Sequence, residues 1–428
     1  MCTVLYTQFA EYSAQRIQHK PQNTIPDKMN LTGGYPYWLI KDGLPFDYPK
    51  LDADVETEVL ILGGGISGAL SAYFLVEEGV DCILIDSRTI GLGSTCASTA
   101  LLQYELDLPL HQLAERVGEE IANRVYQLSS DAIDVLVKIM DRLKFKEYER
   151  TGSLYFAAKE KDVKGLMKEY AAREKCKFDV QWLSQENIEQ RFGFSAPGGI
   201  LSEQGATVNV YALTYALLEH AKKKGLRVFD RTTLQEIRYA GKGIEAETNA
   251  GKIIHAQQLV NATGYEAVNF IGRGIATLHS TYAVASEHLL HQLKPHETFP
   301  IIWNTADPYL YLRLTSDRRV IVGGRDEPFK NARLRDRLID RKTELLSADV
   351  KKLFPEMNFI PEFSWAGTFA ITKDSMPYIG AHPDFPNTFF ALGFGGNGIT
   401  FSMVAAQLLV DFIKGRKNSD AQLFSFER

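Results

Sequence analysis

Gly63, Gly65 and Gly68 form a GxGxxG array directly after the apolar run Val59–Leu62 and at the start of a helical pattern. Each glycine meets a physical demand: a tight turn, close approach of a diphosphate to bare backbone, and close packing of helix on strand. The backbone N–H groups at Ile66 and Ser67, at the positive end of the helix, suit phosphate oxygens. A second apolar run, Cys82–Ile85, ends at Asp86, 18 residues beyond Gly68. That spacing lets the carboxylate accept hydrogen bonds from ribose hydroxyls, with Ser87 and Arg88 continuing the rim, and it disfavours a ribose carrying an extra phosphate. The chemistry implied is dinucleotide binding, without a decision between nicotinamide and flavin.

A second glycine cluster, Gly393, Gly395, Gly396 and Gly398, precedes an apolar helix expected to run to about Lys414 and stop at Gly415. A plain turn needs one glycine; four let backbone lie flat against a ligand, beneath the N–H groups of a helix start. Along PYLYLRL, strand alternation sends Tyr309, Tyr311 and Arg313 to one face, opposite Leu310, Leu312 and Leu314. A guanidinium there can meet a carboxylate bidentately, so the three are candidate substrate ligands, with Arg325 a further one. His288, His291 and His296 lack metal-ligand spacing and read as structural or surface residues, and no metal site is expected. No serine-hydrolase elbow or P-loop lysine is present, and no catalytic acid or base is assigned.

The elements that must position these groups read as follows. At 428 residues the chain exceeds one ordinary core. Residues 1–50 form an aromatic arm expected to pack on the body, and 51–150, 206–275 and 366–428 are segments of one dinucleotide-binding domain. Residues 151–205 and 276–365 are expected to form an inserted substrate domain. The fold class is α/β, Rossmann-like, with an α+β insert built on a mostly antiparallel sheet. Helices are expected at Ile66–Glu78, about Leu113–Leu143, Val210–Lys224 and about Ala332–Leu353.

A net charge of −5 gives no global positive field for nucleic acid. Cys2, Cys82, Cys96 and Cys176 form no CxxC pair or dense framework, which fits a reducing cytoplasm. The N-terminal residues carry no secretory pattern, and the apolar stretch Val59–Val76 holds too many glycines for a transmembrane span.

The runs GLGSTCAST (91–99), LVNATGY (259–265), WAGTFAITKDSMPYIG (365–380) and FFALGFGGNGITFSMVAAQLLVDFIKG (389–415) resemble the D-amino acid oxidase-like superfamily of FAD-dependent oxidoreductases. The pattern is most similar to glycine oxidase, sarcosine oxidase and gamma-glutamylputrescine oxidoreductase-like members. The resemblance implies FAD, with contacts at Ser94, Cys96, Ala97, Ser98, Thr263, Gly264, Gly396, Asn397, Gly398, Ile399 and Thr400. It implies oxidation of the C–N bond of an amine or amino acid by hydride transfer to flavin N5, followed by imine hydrolysis, and names no electron acceptor. Oxidation of a hydroxy acid or polyol, or FAD binding without catalysis, remains an alternative. The flavin is expected to be noncovalent: the cysteine that attaches it in sarcosine oxidase-like relatives is C-terminal, and no cysteine follows Cys176 here. Ala100, Leu101 and Leu102 depart from the small or basic residues that relatives carry at this point, which bears on the flavin face.

Overall fold

The computed structural model describes residues 29–241, 243–272, 274–289 and 299–428. Cys2, most of the N-terminal arm, His291 and His296 lie outside them.

The dinucleotide-binding sheet grows from two apolar strands too uniformly hydrophobic to face water on either side. Val55–Leu62 and Cys82–Ile85 pair in parallel, and Arg227–Phe229 extends them on one edge. Ile253–Asn261 joins in parallel on the other, followed by Phe385–Leu392. The hairpins Leu234–Ala240/Gly243–Thr248 and Tyr378–His382/Phe385–Leu392 add antiparallel strands. Helices Ile66–Glu77, Val210–Lys223 and Gly398–Ile413 cover this sheet and bury nearly all their apolar side chains.

Among the described residues the second sheet has nine strands. Its order is Thr32–Gly34, Pro361–Thr372, Ala276–Ser286, Val320–Pro328, Leu310–Leu314, Ile301–Asn304, Ser153–Phe156, Gly198–Ser202 and Val180–Ser184. All neighbours are antiparallel except Ile301–Asn304 with Ser153–Phe156. Pro361–Thr372 stays in this sheet throughout, so the boundary expected at 365/366 cuts a continuous strand. Thr32–Gly34 makes the arm an edge strand of the second sheet, and Tyr37, Trp38 and Tyr48 are buried. Tyr35 and Phe46 stay exposed.

Two expected helices are divided. Gly118, at φ 91°, separates Leu110–Val117 from Glu119–Arg142, and residues 337–338 separate Ala332–Asp336 from Ile339–Leu353. Helices Val163–Lys175 and Gln185–Phe192 were not anticipated; the second opens on a capping box between Ser184 and Asn187. Among the described residues no helix is long and apolar enough to cross a membrane.

Candidate active site

The GxGxxG loop lines a cavity of about 590 Å³. Gly63 needs its φ of 112°, and a Cβ there would lie 2.5 Å from the Ala262 carbonyl oxygen; a Cβ on Gly65 would lie 2.9 Å from Thr95 Oγ1. The same cavity takes in Ile66, Ser67, Asp86, Ser87, Arg88, Ser94, Ser98, Thr263, Gly264, Gly398 and Ile399. Gly68 works behind it, where the helix crosses the carbonyl of Gly63. Asp86 orders the loop: its Oδ2 accepts from Gly64 N (2.7 Å) and its Oδ1 from Arg88 N (2.7 Å). Arg88 makes a bidentate pair with Glu266 at 2.8 and 2.7 Å, and both residues line the cavity. Glu266 and its neighbour Tyr265 escaped the sequence reading, although LVNATGY runs straight into them.

A second cavity of about 640 Å³ shares Ser94, Ser98, Tyr265, Gly398 and Ile399 with the first, so the two meet. Its wall includes Ala97, Thr99, Ala100, Leu101, Gly396, Asn397, Tyr309 and Tyr311. Four successive carbonyls of this wall are each held by a side chain from another element. Trp365 Nε1 donates to Ala97 O (2.8 Å) and Trp38 Nε1 to Ser98 O (2.7 Å). Arg313 NH1 donates to Thr99 O (3.3 Å), Ala100 O (2.7 Å) and also Val208 O (2.9 Å). Ala100 sits at φ 58°, in the left-handed region that a side chain disfavours, so the clamp holds a strained point of the chain. On the opposite side, Asn397 Nδ2 donates to Glu105 O (2.8 Å) and Asp107 Oδ2 accepts from Gly396 N (2.7 Å).

Several expectations need correction. Arg313 is buried but is not among the residues lining the cavity; its guanidinium is spent on backbone carbonyls and lies 5.5 Å from the Trp38 ring centroid. Burial without a carboxylate partner pulls its pKa down to about 9. Arg325 pairs bidentately with Asp349 (2.8 and 2.6 Å) on helix Ile339–Leu353, and it too is outside the cavity wall. Cys96 is buried, with its Sγ 3.3 Å from Gly93 O, and burial pushes the thiol up to about 12, so it is neither lining nor reactive. Thr400 is buried and turns its hydroxyl back to Asn397 O (3.1 Å). Tyr309 and Tyr311 do line the second cavity, with rings 5.7 Å apart.

The geometry of the residues fits FAD. The Gly63 and Gly65 cradle leaves no room for side chains, and Ser94 Oγ, at the junction of the cavities, is buried with no hydrogen-bond partner. An unpaired buried hydroxyl is costly, so a polar ligand atom beside it would be favourable.

A glycine-cradled cleft that meets a second cavity lined by aromatic side chains is an arrangement suited to a dinucleotide cofactor working on a small substrate. Residues 58–412 match the DAO family model, described as FAD dependent oxidoreductase, and the chain belongs to that family. It is 22% identical over 392 residues to gamma-glutamylputrescine oxidoreductase of Escherichia coli (strain K12), covering 89% of this chain and 87% of that one. To glycine oxidase of Bacillus subtilis (strain 168) it is 23% identical over 383 residues, covering 86% and 96%. The crystal structure of glycine oxidase from Geobacillus kaustophilus superposes with a TM-score of 0.73 at 20% identity, over 87% of this chain and 99% of the other.

Asp86 yields a pH prediction. Burial in the cleft pushes its carboxyl from 3.8 up to about 6, against the opposing pull of the Arg88 and Gly64 N–H groups. A carboxyl raised on folding stabilises the apoprotein below its unfolded pKa, and that contribution is lost as pH rises through 6. Were the ribose hydroxyls of FAD to donate to this carboxylate, they would favour its ionised form and FAD binding would release a proton at acidic pH. FAD affinity of the apoprotein, followed by fluorescence quenching, is therefore expected to improve about tenfold from pH 4 to pH 6 and then level off. Asp86→Asn should flatten that profile; an unchanged slope would mean that another group carries it.

Proposed function

We propose that this chain binds FAD noncovalently and oxidises the C–N bond of an amine or amino acid. The observation that carries the reading is the meeting of the two cavities at Ser94, Ser98, Gly398 and Ile399, which joins a dinucleotide cleft to a chamber large enough for a small substrate. The names of the relatives, gamma-glutamylputrescine oxidoreductase and glycine oxidase, support the same substrate class. Bound FAD supplies at its N5 the acceptor for the hydride lost from the carbon beside a neutral amine, and the resulting imine hydrolyses in water.

The protein's own contribution is positional and electrostatic. Residues 97–100, pinned by Trp365, Trp38 and Arg313, form one rigid wall, and the N-terminus of helix Gly398–Ile413 presents N–H groups and its positive dipole end to the junction. Tyr155, Trp303, Tyr309, Tyr311 and Phe369 supply an aromatic part of the chamber lining. Ala100 and Leu101 line the chamber and do not fill it, which supports catalysis over a protein that only senses FAD. Cys96, buried and with its thiol pushed up to about 12, supports a noncovalent flavin.

Purified protein should be yellow, release all its flavin into the supernatant on acid precipitation, and bleach when an amine is added without oxygen. Colour kept in the pellet would overturn the noncovalent assignment. A flavin that no amine or amino acid reduces would overturn the reaction, and reduction by hydroxy acids alone would replace it with C–O oxidation.

A further inference from the structure

The charge lining the second cavity has one sign. Among its described lining residues there is no Lys, Arg or His, whereas Glu105, Asp107 and Asp307 are all present. Asp107 is exposed to the chamber and its carboxyl group accepts from a single backbone N–H, that of Gly396 at 2.7 Å; desolvation raises its pKa, opposed by that hydrogen bond and by His279 nearby. Asp307 is exposed and, among the described residues, no hydrogen bond or ion pair engages its carboxylate. Glu105 is fully buried in the wall: its Oε1 accepts from Ser202 Oγ (2.9 Å) and Arg173 NH1 (3.2 Å), while its Oε2 is buried with no partner. The guanidinium groups of Arg313 and Arg173 lie behind the wall and neither is free: Arg313 is spent on backbone carbonyls, and Arg173 Nε donates to Glu169 Oε1 at 2.7 Å while Glu169 also meets His111 Nδ1 at 2.8 Å. Arg173 thus serves two acidic groups; burial raises the Glu105 pKa, and its Oε2 and Arg173 NH2 both stay buried without partners behind the wall.

The uncharged part of the lining suits a cation as well. Tyr155 and Trp303 stack with ring centroids 3.7 Å apart at 9°; the Arg173 guanidinium already lies over the Tyr155 ring at 5.8 Å, and Trp303 is oriented by its Nε1 donating to Ser153 Oγ at 3.0 Å. Tyr309 and Tyr311 form a second aromatic pair on the same chamber. Aromatic faces attract ammonium groups, and more strongly where water is scarce. A substrate carboxylate placed in this chamber would meet like charge and, among the described lining side chains, no cation.

We propose that the chamber takes an amine bearing a second, distal cationic group, held by the Asp107 and Asp307 carboxylates and the aromatic side chains of Trp303, Tyr309 and Tyr311, instead of an amino acid anchored through its carboxylate. The proposal rests on the flavoenzyme reading above. In a diamine, the carbon bonded to the neutral amine loses a hydride, whose two electrons pass to FAD. Water then adds to the iminium, giving an aldehyde and ammonium, and the distal ammonium keeps its proton throughout.

The test uses the holoenzyme. Putrescine and cadaverine are compared with butylamine, glycine and D-alanine by the anaerobic rate of flavin bleaching, and each is also titrated against the oxidised flavin spectrum. The diamines should react with a second-order rate constant about tenfold or more above that of butylamine, and further above the amino acids, with the preference shrinking as salt is added. Asp307→Asn, at an exposed position, should lower the diamine constant about three- to tenfold and the butylamine constant by less, so that the preference for diamines narrows; an equal loss for both would overturn the cation-holding role. Diamines that perturb the spectrum in an Asp307-dependent way without bleaching it would uphold the cation site and overturn the C–N oxidation reading instead. An amino acid that reacts as well as the diamines, or diamines that neither bind nor bleach, would overturn the proposal.

Discussion

Gly68→Ala is expected to destabilise the protein by about 3 kcal/mol or more and to abolish FAD binding. A Cβ at this position would lie 1.8 Å from the carbonyl oxygen of Gly63 and 3.0 Å from its carbonyl carbon. Both are backbone atoms, so neither can swing aside as the end of a flexible side chain would. Relief requires helix Ile66–Glu77 to move off strand Val55–Leu62. That helix buries Ala69, Leu70, Ala72 and Leu75 completely, and the strand contributes buried Val59 and Ile61 to the same core, so a shift sufficient to clear the clash opens voids throughout the layer. The same shift carries the N–H groups of Ile66 and Ser67 away from the cleft that they line. Gly165→Ala is the control: Gly165 lies exposed within helix Val163–Lys175, no atom falls within 4 Å of its added Cβ, and the exchange should stabilise by about 0.5–1 kcal/mol. Chemical denaturation with FAD titration reads both effects. A Gly68→Ala protein that bound FAD normally would show that the helix can dock on the loop at a greater separation.

The contrast between what sequence made legible and what it did not follows from distance along the chain. The turn at Gly63–Gly68 and its acid at Asp86 belong to one strand, one helix and the next strand, so local spacing fixes their meeting in space. The loop at Gly393–Gly398 was legible for the same reason, because strand, turn and helix are contiguous there. Glu105, Asp107, Tyr155 and Trp303 were not legible. They come from separate segments, and Tyr155 meets Trp303 only because Ser153–Phe156 pairs in parallel with Ile301–Asn304, a register that no local pattern encodes. Arg313 shows a subtler limit. Alternation correctly set Tyr309, Tyr311 and Arg313 apart from the leucines, but a shared face is not a shared site. Two residues along a strand advance about 6–7 Å, enough to pass from the chamber wall to the space behind it. Arg325 failed differently: at φ 57°, after the two glycines of Val320–Pro328, it departs from regular strand geometry and pairs with Asp349.

Arg313→Met should therefore act on stability and on the flavin wall, not on the choice between charged and neutral substrates. The guanidinium donates to Thr99 O, Ala100 O and Val208 O through NH1 and to Leu314 O through Nε (3.2 Å), joining strand Leu310–Leu314 to the segment that faces both cavities. Methionine matches the length and the packing against Trp38 but offers no donor. Each buried carbonyl left unpaired costs about 1–3 kcal/mol, although Ala100 O keeps a weaker bond from Val208 N at 3.3 Å. Against this stands relief from burying a cation without a carboxylate, the same desolvation that lowers the Arg313 pKa. The net loss is expected at about 2–4 kcal/mol. With its clamp gone, the strained backbone at Ala100 should relax, and FAD affinity should weaken about tenfold as the wall loses its shape. Arg313→Lys, which keeps a charge and one reachable donor, should recover part of the stability and less of the affinity, because an ammonium cannot span the carbonyls that the planar fork reaches. Denaturant midpoints, FAD titration of the apoproteins and anaerobic bleaching with acidic and neutral amines separate the possibilities. If stability and FAD affinity hold while only acidic substrates suffer, Arg313 reaches the substrate after all and the clamp is not its role.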